Sequence, residues 1–215
     1  MVILILVVNK SELKSQEGFS LGLKAGAGYS QFFFQKPVNQ IFTLVFQKGA
    51  VISYRDEKNF GIQLEIMQTQ KAWEEDISKT FKKRVAIDYY EFPILSTYKF
   101  GKKGSGLTIT GGLHISYAFG TDSSTTGQMA PGDTSIVPYS PFVYNKWDYG
   151  LQGGAGYQFM FGRNIVQLEL MFSQSLQNFF DRNYKTIRTS LNQNLYFNLV
   201  YKFSLAGRKK QNVKI

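Results

Sequence analysis

From Phe19 to Phe203 apolar side chains recur at every second position, with Gly, Ser, Thr, Asn or Gln between them. A period of two is the mark of strands whose two faces meet different surroundings. The clearest stretch sets Leu107, Ile109, Leu113, Ile115, Tyr117 and Phe119 on one side and Thr108, Thr110, Gly112, His114, Ser116 and Gly120 on the other. In a soluble sandwich the greasy face would turn inward and charged residues would cover the outside. Charges within these strands are few, and the polar face is too slim to solvate a domain. The pattern predicts a sheet turned inside out, its bulky face in hydrocarbon.

The strands are expected over 18–30, 42–54, 60–70, 83–98, 106–120, 146–160, 165–176 and 189–203. About eight strands is the smallest even number seen in outer-membrane barrels, and about ten to sixteen residues each suits a tilted crossing. The connections sort themselves: 55–59, 101–105 and 161–164 are short, while 31–40, 71–82, 121–145 and 177–188 are long. Membrane barrels alternate short periplasmic turns with longer outside loops. The expected fold is therefore an all-β, eight-stranded antiparallel up-and-down transmembrane barrel with both termini in the periplasm.

Assigned strand by strand, the lipid face carries rows such as Phe42, Leu44 and Phe46, Phe60, Ile62, Leu64 and Ile66, and Leu195, Phe197, Leu199, Tyr201 and Phe203. The opposite face holds Lys24, Gln47, Gln63, Glu65, Asp148, Gln152, Gln167, Glu169, Asn192, Asn194 and Asn198. Gly22, Gly26, Gly28, Gly49, Gly61, Gly112, Gly150, Gly154 and Gly156 share that inner face. A small barrel needs small residues among long ones to close. The paired glycines lie within strands with no helix following, which sets aside a dinucleotide loop.

Aromatic residues form 16% of the chain, and Phe32, Phe33, Tyr54, Trp73, Tyr98, Phe100, Trp147, Phe179 and Phe203 fall near strand ends, as two interfacial girdles require. Mean hydropathy of −0.20 and 43% apolar residues would suit a soluble protein, but alternation averages both faces of a membrane barrel to the same value. With no cysteine, disulfides, thiolate metal sites and a lipobox anchor are set aside, and a single histidine leaves no metal site expected. The net charge of +10 is spread over turns, loops and tail rather than gathered on one helix or sheet face, so no nucleic-acid partner is expected. Residues 1–16 read as a signal-like leader, an apolar run followed by a polar stretch, and 17–205 as the barrel. The tail, 206–215, carries Arg208, Lys209, Lys210 and Lys214, suited to solvent or anionic headgroups.

Several segments together resemble the PorT-like outer-membrane β-barrel family of Bacteroidota. They are Gly22-Leu23-Lys24-Ala25-Gly26, Phe60-Gly61-Ile62-Gln63-Leu64-Glu65, Trp147-Asp148-Tyr149-Gly150 with Gly153-Gly154-Ala155-Gly156, and Tyr201-Lys202-Phe203. The most specific piece is Tyr89, Glu91, Pro93 and Leu95 at alternate positions. The resemblance implies an outer-membrane barrel of a Gram-negative cell, in a family whose founding member serves the type IX secretion and gliding system. Tyr201 and Phe203 also resemble the terminal signal read by the barrel-insertion machinery.

Pro93 removes one ladder hydrogen bond, so a bulge is expected beside it, with Glu91 aimed inward toward Lys24 or another inner cation. The lumen is expected to hold a polar network of Lys24, Glu65, Glu91, His114, Asp148 and Glu169. His114 raises the alternative of a lipid-modifying barrel enzyme, but a mid-strand, inward histidine fits a rim site poorly. No cofactor is expected. The loop at 121–145 places Pro138, Tyr139, Phe142 and Tyr144 after a Ser/Thr-rich start, a candidate contact surface. The leading expectation is a non-enzymatic outer-membrane protein, structural or interacting through its loops, accessory to a secretion or envelope assembly and partnered by outer-membrane lipid. A soluble lipocalin-like carrier, greasy face inward, is the other alternative.

Overall fold

The computed structural model describes residues 18–34, 40–56, 59–78, 81–101, 104–127, 145–179 and 190–205. Its strands are β1 (Gly18–Phe34), β2 (Gln40–Ile41), β3 (Thr43–Arg55), β4 (Phe60–Ser78), β5 (Phe81–Phe100), β6 (Gly106–Gly127), β7 (Trp147–Phe161), β8 (Asn164–Ser175) and β9 (Ser190–Ser204). Strands β2 and β3 both lie along β4, separated only by Phe42, and form one stave. Each strand pairs antiparallel with its neighbours, β1 with β9 and β4 with β5 included, so the sheet closes into an eight-stranded barrel.

Burial alternates along the wall strands and lapses where Lys71–Trp73 on β4 and Val85–Ile87 on β5 are buried in succession. Leu44, Ile62, Ile94, Leu113, Leu151, Leu170 and Phe197 stand exposed, while Lys24, Gln63, Glu65, Glu91, Asp148, Glu169 and Asn198 are buried. Val166 and Leu191 of the outer rows are half-buried. The greasy face points outward, which corrects the carrier alternative: its interior is polar. Closure excludes an unpaired sheet edge, the arrangement that lets strands cross hydrocarbon with every backbone group satisfied.

The tight turns follow local chemistry. Asp56 accepts the Phe60 N–H on its side chain (2.9 Å), and Asn59 takes the left-handed φ of 67° that short polar residues tolerate. Between β7 and β8 the turn is Gly162-Arg163, with Gly162 at φ 65°.

At the opposite end the structure corrects the expected boundaries. Residues 71–82 are not a loop: β4 runs on to Ser78 and β5 begins at Phe81. The ladder sets Glu74 opposite Arg84, a facing pair of opposite charge that suits a hairpin. Strand β6 likewise continues past Gly120 to Gly127, with Thr121–Thr126 exposed and paired to β5. No bulge sits at Pro93, which pairs in register with His114; the irregularity lies at Asp88/Tyr89. Toward β4 the ladder passes over the two pairs opposite Glu65 and Ile66 with register unchanged, the place where a proline without N–H lies.

Inner glycines set how closely strands approach. A side chain at Gly154 would press on the Leu170 carbonyl oxygen and come within 2.9 Å of Met171 Cα, both backbone atoms that cannot yield. Gly154→Val is expected to destabilise the barrel by about 1–3 kcal/mol, read as a lower urea midpoint of heat-modifiable gel migration. Gly111→Ala is the control, since its Cβ would meet only the Gln152 oxygen at 3.7 Å. Equal midpoints for the two variants would contradict the close approach.

Candidate functional site

The strands deliver their alternate polar side chains to one enclosed lumen, where they form two ion-paired networks and a seal. The middle network is built on Lys24 of β1. Its ammonium lies 3.0 Å from Glu65 Oε1 of β4 and 2.5 Å from Glu169 Oε1 of β8. Amides add donors to the same carboxylates: Gln63 donates to Glu65 Oε1 (2.6 Å), Asn198 to Glu169 Oε1 (3.3 Å) and Gln167 to Glu169 Oε2 (3.0 Å). Gln47 in turn donates to Asn198 (2.6 Å). Charges in a lipid-surrounded interior must be paired and hydrogen-bonded to offset desolvation, and these are.

The second network is nearer the long-connection end and is built on Lys71 of β4. Its ammonium lies 2.5 Å from Asp148 Oδ2 and 3.5 Å from Glu91 Oε2, and 4.7 Å from the centre of the Tyr89 ring. Ser175 donates to Asp148 (2.7 Å), while Ser116 (2.9 Å) and Gln152 donate to Glu91. Glu91 therefore points inward as expected, but its cation is Lys71 and not Lys24. The six residues read from the sequence divide between the networks, Lys24, Glu65 and Glu169 in one and Glu91, Asp148 and His114 in the other. Lys71, which links the latter group, had been assigned to a loop; the inner-face parity of Gln63, Glu65, Met67 and Thr69 continues straight through it.

His114 is fully enclosed, with neither ring nitrogen hydrogen-bonded and Nε2 4.0 Å from Glu91 Oε2. Its neighbour Ser116 donates to Glu91. The serine–histidine hydrogen bond of an activated nucleophile is not formed here.

Above the Lys71 network, Phe32, Trp73 and Phe179 pack edge to face, ring centres 4.7–5.6 Å apart, against Val85, Ile87, Tyr89 and Ala118. These three rings were expected in a lipid girdle; instead they are buried and close the mouth. Phe32 and Trp73 sit on the inner parity of their strands, which is why they turn inward. Phe33, Tyr54, Tyr98, Phe100, Trp147 and Phe203 are exposed as expected. With their neighbours they form two belts: Phe19–Tyr54, Tyr98–Phe100 and Tyr157–Phe159 contacts at the short-turn end, Tyr90–Phe119 and Tyr117–Trp147 contacts at the other. Between the belts the outer face is apolar, mostly Leu and Ile with Phe46 and Phe197 among them, the profile of a bilayer-spanning barrel. Pro138, Tyr139, Phe142 and Tyr144, the leader and the basic tail lie outside the described residues.

The family model described as an outer membrane protein beta-barrel domain matches residues 11–181. The chain belongs to that family. As an outer membrane beta-barrel protein it is placed in the outer membrane of a Gram-negative bacterium, its apolar belt in lipid. Among solved structures it is similar to OprG from Pseudomonas aeruginosa (11% identity, 90% of this chain and 99% of that one, TM-score 0.47). It is also similar to E. coli outer membrane protein W (13%, 88% and 98%, TM-score 0.47) and to Ail of Yersinia pestis (14%, 87% and 100%, TM-score 0.43). No curated protein matches the chain.

Proposed function

We propose that this outer membrane beta-barrel protein is a non-enzymatic scaffold with a filled lumen, acting through its long-connection end, with its short turns and termini in the periplasm. The observation that carries the reading is the lumen itself: two buried ion-paired networks span it and an aromatic cluster caps one mouth. Such a plug trades a conductive path for a rigid wall. The surface left for recognition is the β4–β6 ribbon, with exposed Thr121–Thr126, and the connections that follow it.

Purified protein in planar lipid bilayers is expected to show no stable conductance steps; steady ohmic steps would overturn the filled-lumen reading. Pro138, Tyr139, Phe142 and Tyr144 are the proposed contact residues. Replacing all four by Ser is expected to leave heat-modifiable migration intact while removing an envelope partner from native-membrane pull-downs. The resemblance to PorT-like barrels supports a secretion or envelope assembly as the place to look. His114→Ala is expected to leave the lipid A acylation pattern unchanged, and a changed pattern would return the enzyme alternative.

A further inference from the structure

We propose that the short-turn mouth of the barrel is a binding site for a phosphate-type oxyanion, held by Arg55, Lys99 and Lys202. The two lysines deeper in the lumen each contact two carboxylates. The three cations at this mouth form no ion pair with a carboxylate among the described residues. Lys202 donates only to the amide oxygens of Gln63 (3.3 Å) and Gln167 (3.0 Å). Arg55 donates one N–H to Gln158 (2.9 Å), and its Nε is buried with no partner. Lys99 is 1% exposed, on the inner face of β5 with Leu95 and Thr97. Both lysines are repelled by Arg55, although Lys202 is also drawn by Glu169 and Glu65 deeper in the lumen.

Like charges in a low-dielectric wall are costly, and a multivalent anion between them removes the cost. The opening is a built one. It is narrow and opens to solvent, and Arg55 and Lys202 line it together with the hydroxyl-bearing Ser20, Thr97 and Ser204. Guanidinium, ammonium and hydroxyl donors converging on one opening are the donor set that tetrahedral oxyanions select. Among the described residues of the short turns and flanking strand ends at this mouth, Asp56 is the only acidic side chain, against Arg55, Lys99, Arg163 and Lys202. The same phosphate chemistry is offered by the free ion and by a phospholipid headgroup at the rim.

The test is calorimetric titration of inorganic phosphate into the full chain in non-ionic, phosphate-free detergent at low ionic strength. Saturable binding of one phosphate per barrel is expected, weakened by at least about tenfold in the Lys99→Gln/Lys202→Gln double variant. Lys82→Gln, at the opposite end, should leave it unchanged. Displacement of phosphate by phosphatidylglycerol but not by diacylglycerol supports the site as a headgroup seat; phosphate binding without such displacement supports it as a site for the free ion. Absence of saturable phosphate binding together with no preference for phosphatidylglycerol overturns the proposal. So does unchanged affinity in a double variant that keeps its heat-modifiable migration. If that variant fails to fold, Arg55→Gln at the rim replaces it, and unchanged affinity there is equally fatal.

Discussion

Lys71→Met is expected to destabilise the barrel by about 3–5 kcal/mol, read as a fall in the urea midpoint of folding into lipid vesicles. The size follows from what the substitution leaves behind. Lys71 is 1% exposed and shared by Asp148 at 2.5 Å and Glu91 at 3.5 Å. Without it two carboxylates face one another in a closed lumen, with His114 the nearest basic group at 4.0 Å from Glu91. Lost attraction is the smaller part; stranded charge is the larger. Adding Glu91→Gln and Asp148→Asn to Lys71→Met should therefore recover much of the loss, because amides can keep the Ser116 and Ser175 contacts without net charge. Lys82→Gln provides the scale: its pair with Glu74 is 3.5 Å long and Lys82 is 45% exposed at the side chain, so about 0–1 kcal/mol is expected. Equal effects for Lys71→Met and Lys82→Gln would mean that the buried network does not brace the wall.

The barrel wall was legible because its two faces meet such different solvents that each strand records them in every pair of residues. Leu107 to Ile115 on β6 reads correctly position by position. What failed was the end of the wall. Where β4 and β5 continue past the lipid-facing rows, Lys71, Ala72 and Trp73 are buried in succession, as are Val85, Ala86 and Ile87, so the contrast between faces fades and Lys71–Ser78 looks like a charged loop. Only parity survives there: Lys71 and Trp73 keep the inward phase set by Gln63 and Glu65. The same parity, followed past the expected end of β5, puts Lys99 inside with Leu95 and Thr97.

Two further departures from expectation have separate causes. Aromatic rings at strand ends suit a girdle by position, but Phe32 and Trp73 depart from it by phase, and phase decides which solvent a side chain meets, while Phe179, past the end of β8, packs onto them. Pro93 was expected to force a bulge because an extra residue is the usual way to absorb a missing N–H. Here the β4–β5 ladder omits bonds locally instead, and the extra residue appears on β6 around Phe119, between Ala118 and Gly120. That is where β6 exchanges its β7 partner for a bond from Ala118 N–H to the Lys146 carbonyl (2.7 Å) and continues outward. A bulge at this point bends the ribbon away from the wall.

Leu113→Arg is expected to cost about 2–4 kcal/mol when folding is measured in vesicles, because this position lies midway along the apolar belt. Leu113 is 60% exposed, with Ile94 and Leu151 as its cross-strand neighbours on the same face. Phe100→Arg at the short-turn belt should cost only about 0–1 kcal/mol, since a charge there reaches headgroups and water. The gradient between the two positions is the informative quantity. A destabilising arginine alone could reflect lost packing, but loss of Leu or Phe contacts would be comparable at both sites, and only hydrocarbon depth separates them. A water-bathed outer face gives the reverse result: Leu113→Arg would be neutral and would raise solubility without detergent. The same outcome would remove the reason for a polar lumen, because only a wall solvated by lipid obliges Lys24, Lys71 and their carboxylates to find one another inside.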